Sequence, residues 1–147
     1  SIAARLQHEP VSHLYSSPYE RAMTTAIVYG EAIGLTPIVV DELREVLPEA
    51  QPPHRRSASL RRHYVHSFAQ MAWSRQGLTW RAEMRRARQA WSAITAETAE
   101  AIAAVSHAWL ISLILLSLRN NAHWHVLRRD VRNAGISIVV RREPHAR

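Results

Sequence analysis

The chain has 147 residues, enough for one domain with a hydrophobic core, and it contains no cysteine. The absence of cysteine excludes disulfides, a thiol nucleophile and thiolate metal ligands. The formal net charge is +7, and every one of the nineteen Lys and Arg positions is arginine. Residues 51–147 carry sixteen of these arginines against five acidic residues. Such an excess attracts phosphate compounds, nucleic acid or an acidic surface, or it simply forms solvated helix faces.

The chain opens with residues 1–9, which are predicted to be the end of a helix. It begins with serine, and its first residues do not show the charged segment followed by an apolar one that marks a secretory signal. We therefore expect a cytoplasmic protein, present here as a fragment or as the product of a shortened gene.

A strand is predicted over Val11–Ser16, and a helix follows it. Ser17 is predicted as the N-cap, with Pro18 at the first helical position and Glu20 three residues after the serine, which is the capping-box spacing. The helix is expected to end near Gly34. Arg21 lies in its first turn, where the helix dipole disfavours a cation. Two interpretations are open: Arg21 pairs with a nearby carboxylate, or it binds an anion such as phosphate at the helix start.

The next strand is predicted over Thr36–Val40, and the acidic segment Asp41–Val46 follows it directly. Strand, helix and strand joined by short links predict an α/β fold, in which functional sites gather beyond the carboxyl ends of the strands.

Residues 47–98 are predicted to be a helical insertion. A proline-rich loop, Leu47–Arg56, precedes one helix over 57–76, and Gly77 separates it from a second helix, Leu78–Thr98. The second helix has an apolar stripe and an opposite face with three arginines. The stripe consists of Trp80, Met84, Ala87, Trp91 and Ile94, and the basic face of Arg81, Arg85 and Arg88. His63 and His66 lack a third ligand, so no metal site is expected.

The apolar run of residues 101–118 is long enough to be considered as a membrane span, but His107 and Ser106 interrupt it. A buried strand over Ala101–Ser106, ending at His107, and a helix over Ala108–Leu118 explain the run better. His123 and His125 are interpreted as structural or surface residues. A last strand is predicted over Ile136–Val140, before a loose basic tail, Arg141–Arg147.

Three polar residues therefore lie just beyond three successive predicted strands: Arg21, Glu45 and His107. An arginine that holds an anion, an acid that protonates a leaving group and a histidine that stabilises charge suit phosphoryl transfer. The segment 14–26, LYSSPYERAMTTA, resembles the SSP-x-x-RA-x-x-TA segment of the histidine phosphatase superfamily, also called phosphoglycerate mutase-like. The segments 41–46, DELREV, and 105–108, VSHA, resemble the L-x-E and VSHG segments of the same family.

This resemblance implies a single domain over residues 1–147, with a three-layer α/β/α architecture and a mostly parallel sheet. It also implies a phosphohistidine mechanism, in which a histidine of an R-H-G motif at the end of the first strand attacks phosphorus. By position, Arg21 would bind the phosphoryl group, with Ser17 and Ser106 shaping the site. His107 would be the second pocket histidine and Glu45 the acid and base.

The resemblance departs from the family pattern in three ways. R-H-G does not occur in the 147 residues, Ala108 replaces the usual glycine after the histidine, and the usual G-x-W-E-G-like continuation after the acid is missing. We therefore expect that the first, central strand is absent, that its two neighbours are left unpaired, and that the chain alone is poorly stable or inactive.

The partner expected from the resemblance is a small phosphorylated substrate, with no cofactor, no nucleic acid and no membrane. The alternative is a non-catalytic protein that binds a phosphate compound or nucleic acid through its arginine-rich helices, Arg55 to Arg62 and Arg81 to Arg88. Substrate identity, the choice between phosphatase and mutase, and the oligomeric state are not determined by the sequence.

Overall fold

The computed structural model describes residues 9–46, 77–97, 99–131 and 135–141, and only the backbone of residues 77–79. Most of the predicted helix end at residues 1–9, the loop 47–56, the helix 57–76 and most of the tail 141–147 lie outside the described residues, as do the arginines of the first basic helix. Arg141 belongs to a strand rather than to a loose tail.

The described chain is an α/β fold with three helices and five strands. In chain order these elements are β1 (Val11–Ser16), α1 (Glu20–Ile33), β2 (Ile38–Val39), a 3-10 helix (Asp41–Leu43), α2 (Gly77–Ile94), β3 (Ala101–Val105), α3 (Ala108–Ser117), β4 (Trp124–Arg128) and β5 (Ile138–Arg141). None of the helices in the described segments is both long enough and apolar enough to cross a membrane.

The strands form two sheets. One is parallel, with the order β2-β1-β3, and the other is an antiparallel pair of β4 and β5. Strand β1 is therefore central in the parallel sheet, and its last residue, Ser16, is paired with Val39 on one side and Val105 on the other. This pairing brings the carboxyl ends of β1, β2 and β3 to one edge of the sheet.

Helices cover both faces of the parallel sheet. Two successive residues of β1 show this, because successive side chains of a strand point to opposite faces. Leu14 of β1 is fully buried and lies against α1 at Gly30. Tyr15, the next residue, belongs to the main core, which α2 and α3 form on the other face. The predicted three-layer α/β/α arrangement is thus confirmed.

The apolar stripe predicted for α2 is confirmed. Ala87 and Ile94 are buried in the core, and Trp80, Met84 and Trp91 pack against it. The opposite face of the helix is exposed and carries the three predicted arginines, Arg81, Arg85 and Arg88. Two details of this helix differ from the prediction. Gly77 is its first residue rather than a break before it, and the helix ends at Ile94.

The predicted bounds of β1 and the end of α1 are confirmed, but the predicted capping box is wrong. Helix α1 begins at Glu20, and its N-cap residue is Tyr19, whose side chain makes no capping hydrogen bond. The reason is that Ser17 still continues the sheet, with its N–H donating to the carbonyl oxygen of Val105 at 2.9 Å. Gly34 ends the helix in the left-handed conformation, with a φ of 74°.

Strand β3 ends one residue earlier than predicted, and it is not buried. Its residues are half-buried, and Ala104 is exposed. The physical reason is its position, since β3 is the last strand of the parallel sheet and is covered less completely than the central strand β1.

Candidate active site

The candidate site lies at the carboxyl edge of the parallel sheet, between the starts of α1 and α3. Ser16 is paired with Val105, so the residues that follow these two positions emerge side by side. Ser17 leads from β1 into α1, and His107 leads from β3 into α3, where it is the N-cap residue. The two residues are ninety positions apart in sequence, and the sheet register alone brings them together.

His107 is almost completely buried, with 6% of its surface exposed. Its Nε2 lies 2.8 Å from the hydroxyl oxygen of Ser17, and its Nδ1 lies 3.1 Å from Nε of Arg21. Arginine can only donate at this contact, so Nδ1 must be the acceptor. A neutral imidazole has one acceptor and one donor nitrogen, so the proton lies on Nε2 and is donated to Ser17.

The same environment keeps His107 uncharged. Burial, and secondly the nearby cation of Arg21, lower the pKa of His107 to about 4. At neutral pH the imidazole is therefore a neutral group that donates through Nε2.

Arg21 is the second residue of α1 and is exposed. The two sequence interpretations for it were a carboxylate partner and an anion site. Among the described residues Arg21 makes no ion pair, and its Nε donates to His107 instead. Its guanidinium carbon also lies 5.7 Å from the ring centre of Tyr19. The cation is thus held at a helix start beside a histidine. No described carboxylate forms an ion pair with it, although the carboxylate of Glu45 is near enough for the two charges to interact.

Glu45 is half-buried and lies at the start of α3. One of its oxygens, Oε1, accepts the N–H of Val46 at 3.0 Å, and the amide of Leu110 in the first turn of α3 also donates to its carboxylate. Burial raises the pKa of Glu45 above its usual value. The two amide hydrogen bonds, together with the cations of Arg21 and Arg86, offset part of this increase. A raised pKa suits a carboxylic acid that donates a proton near neutral pH.

Ser106 lies next to His107 in sequence but has a different partner. Its hydroxyl donates to the carbonyl oxygen of Leu43 at 2.7 Å, which connects the end of β3 to the 3-10 helix. The structure therefore brings Ser17, Arg21 and His107 into direct contact. Glu45 lies close enough for the charge of Arg21 to affect it, and Ser106 is engaged with the segment that leads to Glu45.

Tyr19 is a further residue of this site, and sequence reasoning did not identify it. Its ring approaches the ring of His107 edge-on, with centres 5.3 Å apart, and also faces Arg21. The only available signal was its position between Ser17 and Arg21 in the motif, because an aromatic residue there has no spacing pattern of its own.

Two shallow depressions, with volumes of about 280 and 340 Å³, are not lined by any of the candidate residues. Within the described segments, no group of three or more His, Cys, Asp or Glu side chains is arranged to hold a metal ion.

The family model described as histidine phosphatase superfamily (branch 1) matches residues 1–147, which is the full length of the chain. Comparison with curated proteins gives no match.

Proposed function

The chain belongs to the histidine phosphatase superfamily, branch 1, and we propose that its His107 pocket binds the phosphoryl group of a phosphomonoester, as in a hydrolase or mutase of the phosphohistidine type. The observation that carries the proposal is the hydrogen bond from Arg21 to His107 at the start of α1. A helix start, an arginine that forms no ion pair with any described carboxylate, and a buried histidine together favour a phosphate group.

The proposed roles follow from the contacts of each side chain. Arg21 binds the phosphoryl oxygens through its terminal nitrogens, while its Nε remains on His107. At neutral pH His107 stays neutral, because its Nδ1 accepts the hydrogen bond from Arg21, and it donates from Nε2. Arg21 sets this tautomer, and Ser17 accepts the Nε2 proton and so orients the ring. Glu45, with its raised pKa, donates a proton to the leaving group and later accepts one from water.

The nucleophile of the reaction is not among these residues, because R-H-G does not occur in the 147 residues. The family's first strand is central in its sheet. In the described residues β3 is an edge strand of the parallel sheet, and β4 and β5 form a separate pair. This separation supports the proposal that the family's first strand would lie between β3 and β4. We therefore expect the chain alone to bind phosphate compounds without hydrolysing them. An in-frame strand ending in R-H-G upstream of Ser1 in the coding sequence would identify the chain as a fragment of an active enzyme.

Binding of inorganic phosphate to the purified chain tests the pocket, with calorimetry as the measurement. We expect saturable binding that Arg21→Gln weakens about tenfold or more, the effect of losing one charge-assisted hydrogen bond or pair. Arg85→Gln, on the exposed face of α2, is the matched control and should bind as the unchanged chain does. Equal binding by Arg21→Gln would contradict the assignment of the pocket.

Turnover of a phosphomonoester by the same preparations tests the mechanism separately. We expect no hydrolysis by the chain alone. Activity that survives His107→Ala would contradict the proposed mechanism as a whole. Activity that His107→Ala or Arg21→Ala abolishes would instead keep the mechanism and show that the chain contains its own nucleophile.

The second candidate is a non-catalytic nucleic-acid or phosphate-compound binder. One observation favours it, namely the exposed row of Arg81, Arg85 and Arg88 on α2. Nucleic-acid binding by such a row falls steeply with salt. Strong salt-dependent binding to single-stranded or duplex nucleic acid, lost when the three arginines are replaced by glutamine, would select this candidate.

A further inference from the structure

Among the arginines of α2 whose side chains the structure describes, only Arg86 turns toward the protein rather than toward solvent. Its Nε and Nη2 both donate to one carboxylate oxygen of Glu83, one helical turn earlier. Its Nη1 donates to two backbone carbonyl oxygens, that of Glu42 at 3.0 Å and that of Arg44 at 2.6 Å. Every nitrogen of this guanidinium is therefore engaged within the protein.

The two carbonyl groups belong to the segment that leads directly into Glu45. Between them lies Leu43, whose carbonyl oxygen accepts the hydroxyl of Ser106 at 2.7 Å. Three successive carbonyl groups are thus held from two sides, by Arg86 on α2 and by Ser106, the residue before His107. This arrangement connects the position of Glu45 to the position of His107 through fixed backbone.

We propose that Arg86, held by Glu83, is the positioning residue that fixes Glu45 against the start of α3 and beside the phosphate pocket. The inference rests on the proposed function in one respect, since it takes Glu45 to be the acid of that site. Neither the motif segments nor the apolar stripe of α2 assigns any role to Arg86.

The geometry requires an arginine. A guanidinium presents its donors in a rigid planar fork, so it can bind a carboxylate along one edge and carbonyl oxygens with the remaining nitrogen. A lysine carries the same charge on a single nitrogen and cannot span these partners. The charged groups that act on Glu45 are Arg86 from α2 and Arg21 from α1. From α3, the Leu110 amide donates to its carboxylate.

The Leu110 amide reports directly on the position of Glu45, because it donates to that carboxylate. In the full chain, the amide proton shift of Leu110 should follow the titration of Glu45 in NMR spectra recorded across pH. Glu45→Gln should abolish this titration and so assign it. In Arg86→Gln, and equally in Arg86→Lys, we expect the titration at Leu110 to disappear. Hydrogen exchange of this amide should become at least about tenfold faster.

Arg85→Gln and Arg88→Gln are the controls, because both side chains lie on the exposed face of the same helix, and they should leave the Leu110 titration unchanged. An unchanged Leu110 titration in Arg86→Gln would overturn the proposal. A Leu110 titration that is lost in Arg86→Gln but present in Arg86→Lys would show that Arg86 acts through charge alone, and this result would overturn the proposal equally. If Arg86→Gln does not fold, Glu83→Gln decides by the same measurement: a reduced Leu110 titration supports the proposal, and an unchanged one overturns it.

The proposed function is separated from this inference by titrating the same samples with inorganic phosphate. If added phosphate does not change the amide NMR shifts around Ser17 and His107 in the unchanged chain, the proposed phosphate pocket is contradicted. The Leu110 titration still decides the role of Arg86 in that case. Phosphate binding that persists in Arg86→Gln, together with a lost Leu110 titration, is the result expected if both proposals hold.

Discussion

Arg21 donates through Nε to Nδ1 of His107 across 3.1 Å, and this hydrogen bond determines which ring nitrogen carries the proton of the neutral imidazole. Because Nδ1 accepts, the proton of the neutral ring must lie on Nε2, where the Ser17 hydroxyl receives it at 2.8 Å. The arginine therefore orients the donor of the histidine toward Ser17, in addition to its proposed role of binding an anion.

The first prediction concerns the protonation of His107. Its ring nitrogens should show the Nε2–H tautomer and titrate with a pKa of about 4 in the free chain, measured by NMR of nitrogen-15-labelled protein. Bound phosphate should raise this pKa, because a nearby anion stabilises the imidazolium. By linkage, phosphate affinity should then increase as the pH falls from neutral toward the pKa of the bound form. A ring that titrates near 6.5 with its proton on Nδ1 would contradict the described contacts.

The second prediction concerns stability in acid. The folded pKa of His107 is about 4, below the ordinary value of about 6.5 for the unfolded chain, so the unfolded state binds more protons between these values. The stabilising effect is present above about pH 6.5 and is lost as the pH falls to about 4. Its size is on the order of 2–3 kcal/mol.

Urea unfolding at pH 7 and pH 4.5 measures this effect, and His107→Gln should remove most of the difference between the two pH values. Glu45 works in the opposite direction, because its raised pKa makes its ionised form unfavourable in the folded state, and that cost disappears as the pH falls through its folded pKa. If the unchanged chain and His107→Gln lose the same stability in acid, another group is responsible.

The third prediction decides between the predicted capping role of Ser17 and its observed contact with His107. In a double-mutant cycle, Ser17→Ala and His107→Ala should show a coupling energy of about 1–2 kcal/mol, because Ser17→Ala leaves the buried Nε2–H of His107 without its acceptor. Ser17→Ala and Glu20→Ala should instead be additive, because Glu20 does not form a capping box with Ser17. Free energies of unfolding from urea titrations give both cycles, and strong coupling to Glu20 would restore the capping interpretation.

Much of this site could be predicted because its residues follow strands that are recognisable in the sequence. Strand β1 has apolar residues bounded by a serine pair, and the position of Arg21 in the first turn of α1 followed from the motif. The capping box failed because a serine that precedes a helix can either cap it or continue the strand, and the pairing with β3 decided the outcome. Pairing across ninety residues cannot be seen in local spacing.

Strand β4 and the contacts of Arg86 were missed for different reasons. In β4, Trp124 and Val126 pack against the core while His125 and Leu127 are exposed, which is a strand alternation that the two histidines obscured. Arg86 is one of several arginines on α2, and Arg85 and Arg88 on either side of it are exposed. Its distinction is its direction toward Glu42 and Arg44, and these carbonyl partners leave no trace in side-chain composition.

The last prediction concerns the two glycines near the end of α1, the helix that carries Arg21 in its first turn. A Cβ on Gly30 would lie 2.2 Å from the carbonyl oxygen of Leu35 and 3.2 Å from the Leu14 side chain. Leu35 cannot move away without losing the hydrogen bond from its N–H to the carbonyl oxygen of Gly30. Gly34 has open space around it, but its φ of 74° disfavours other residues.

Gly30→Ala should therefore destabilise the chain by about 2–3 kcal/mol through overpacking, and Gly34→Ala by about 1 kcal/mol through backbone conformation alone. Urea unfolding measures both, and Gly34→Asn provides the matched control, because asparagine adopts the left-handed conformation more readily than alanine and should recover part of the loss. Gly30→Ala should lose more stability than Gly34→Ala. A Gly30→Ala variant as stable as the unchanged chain would mean that the 34–37 segment does not pack against α1 as the structure describes.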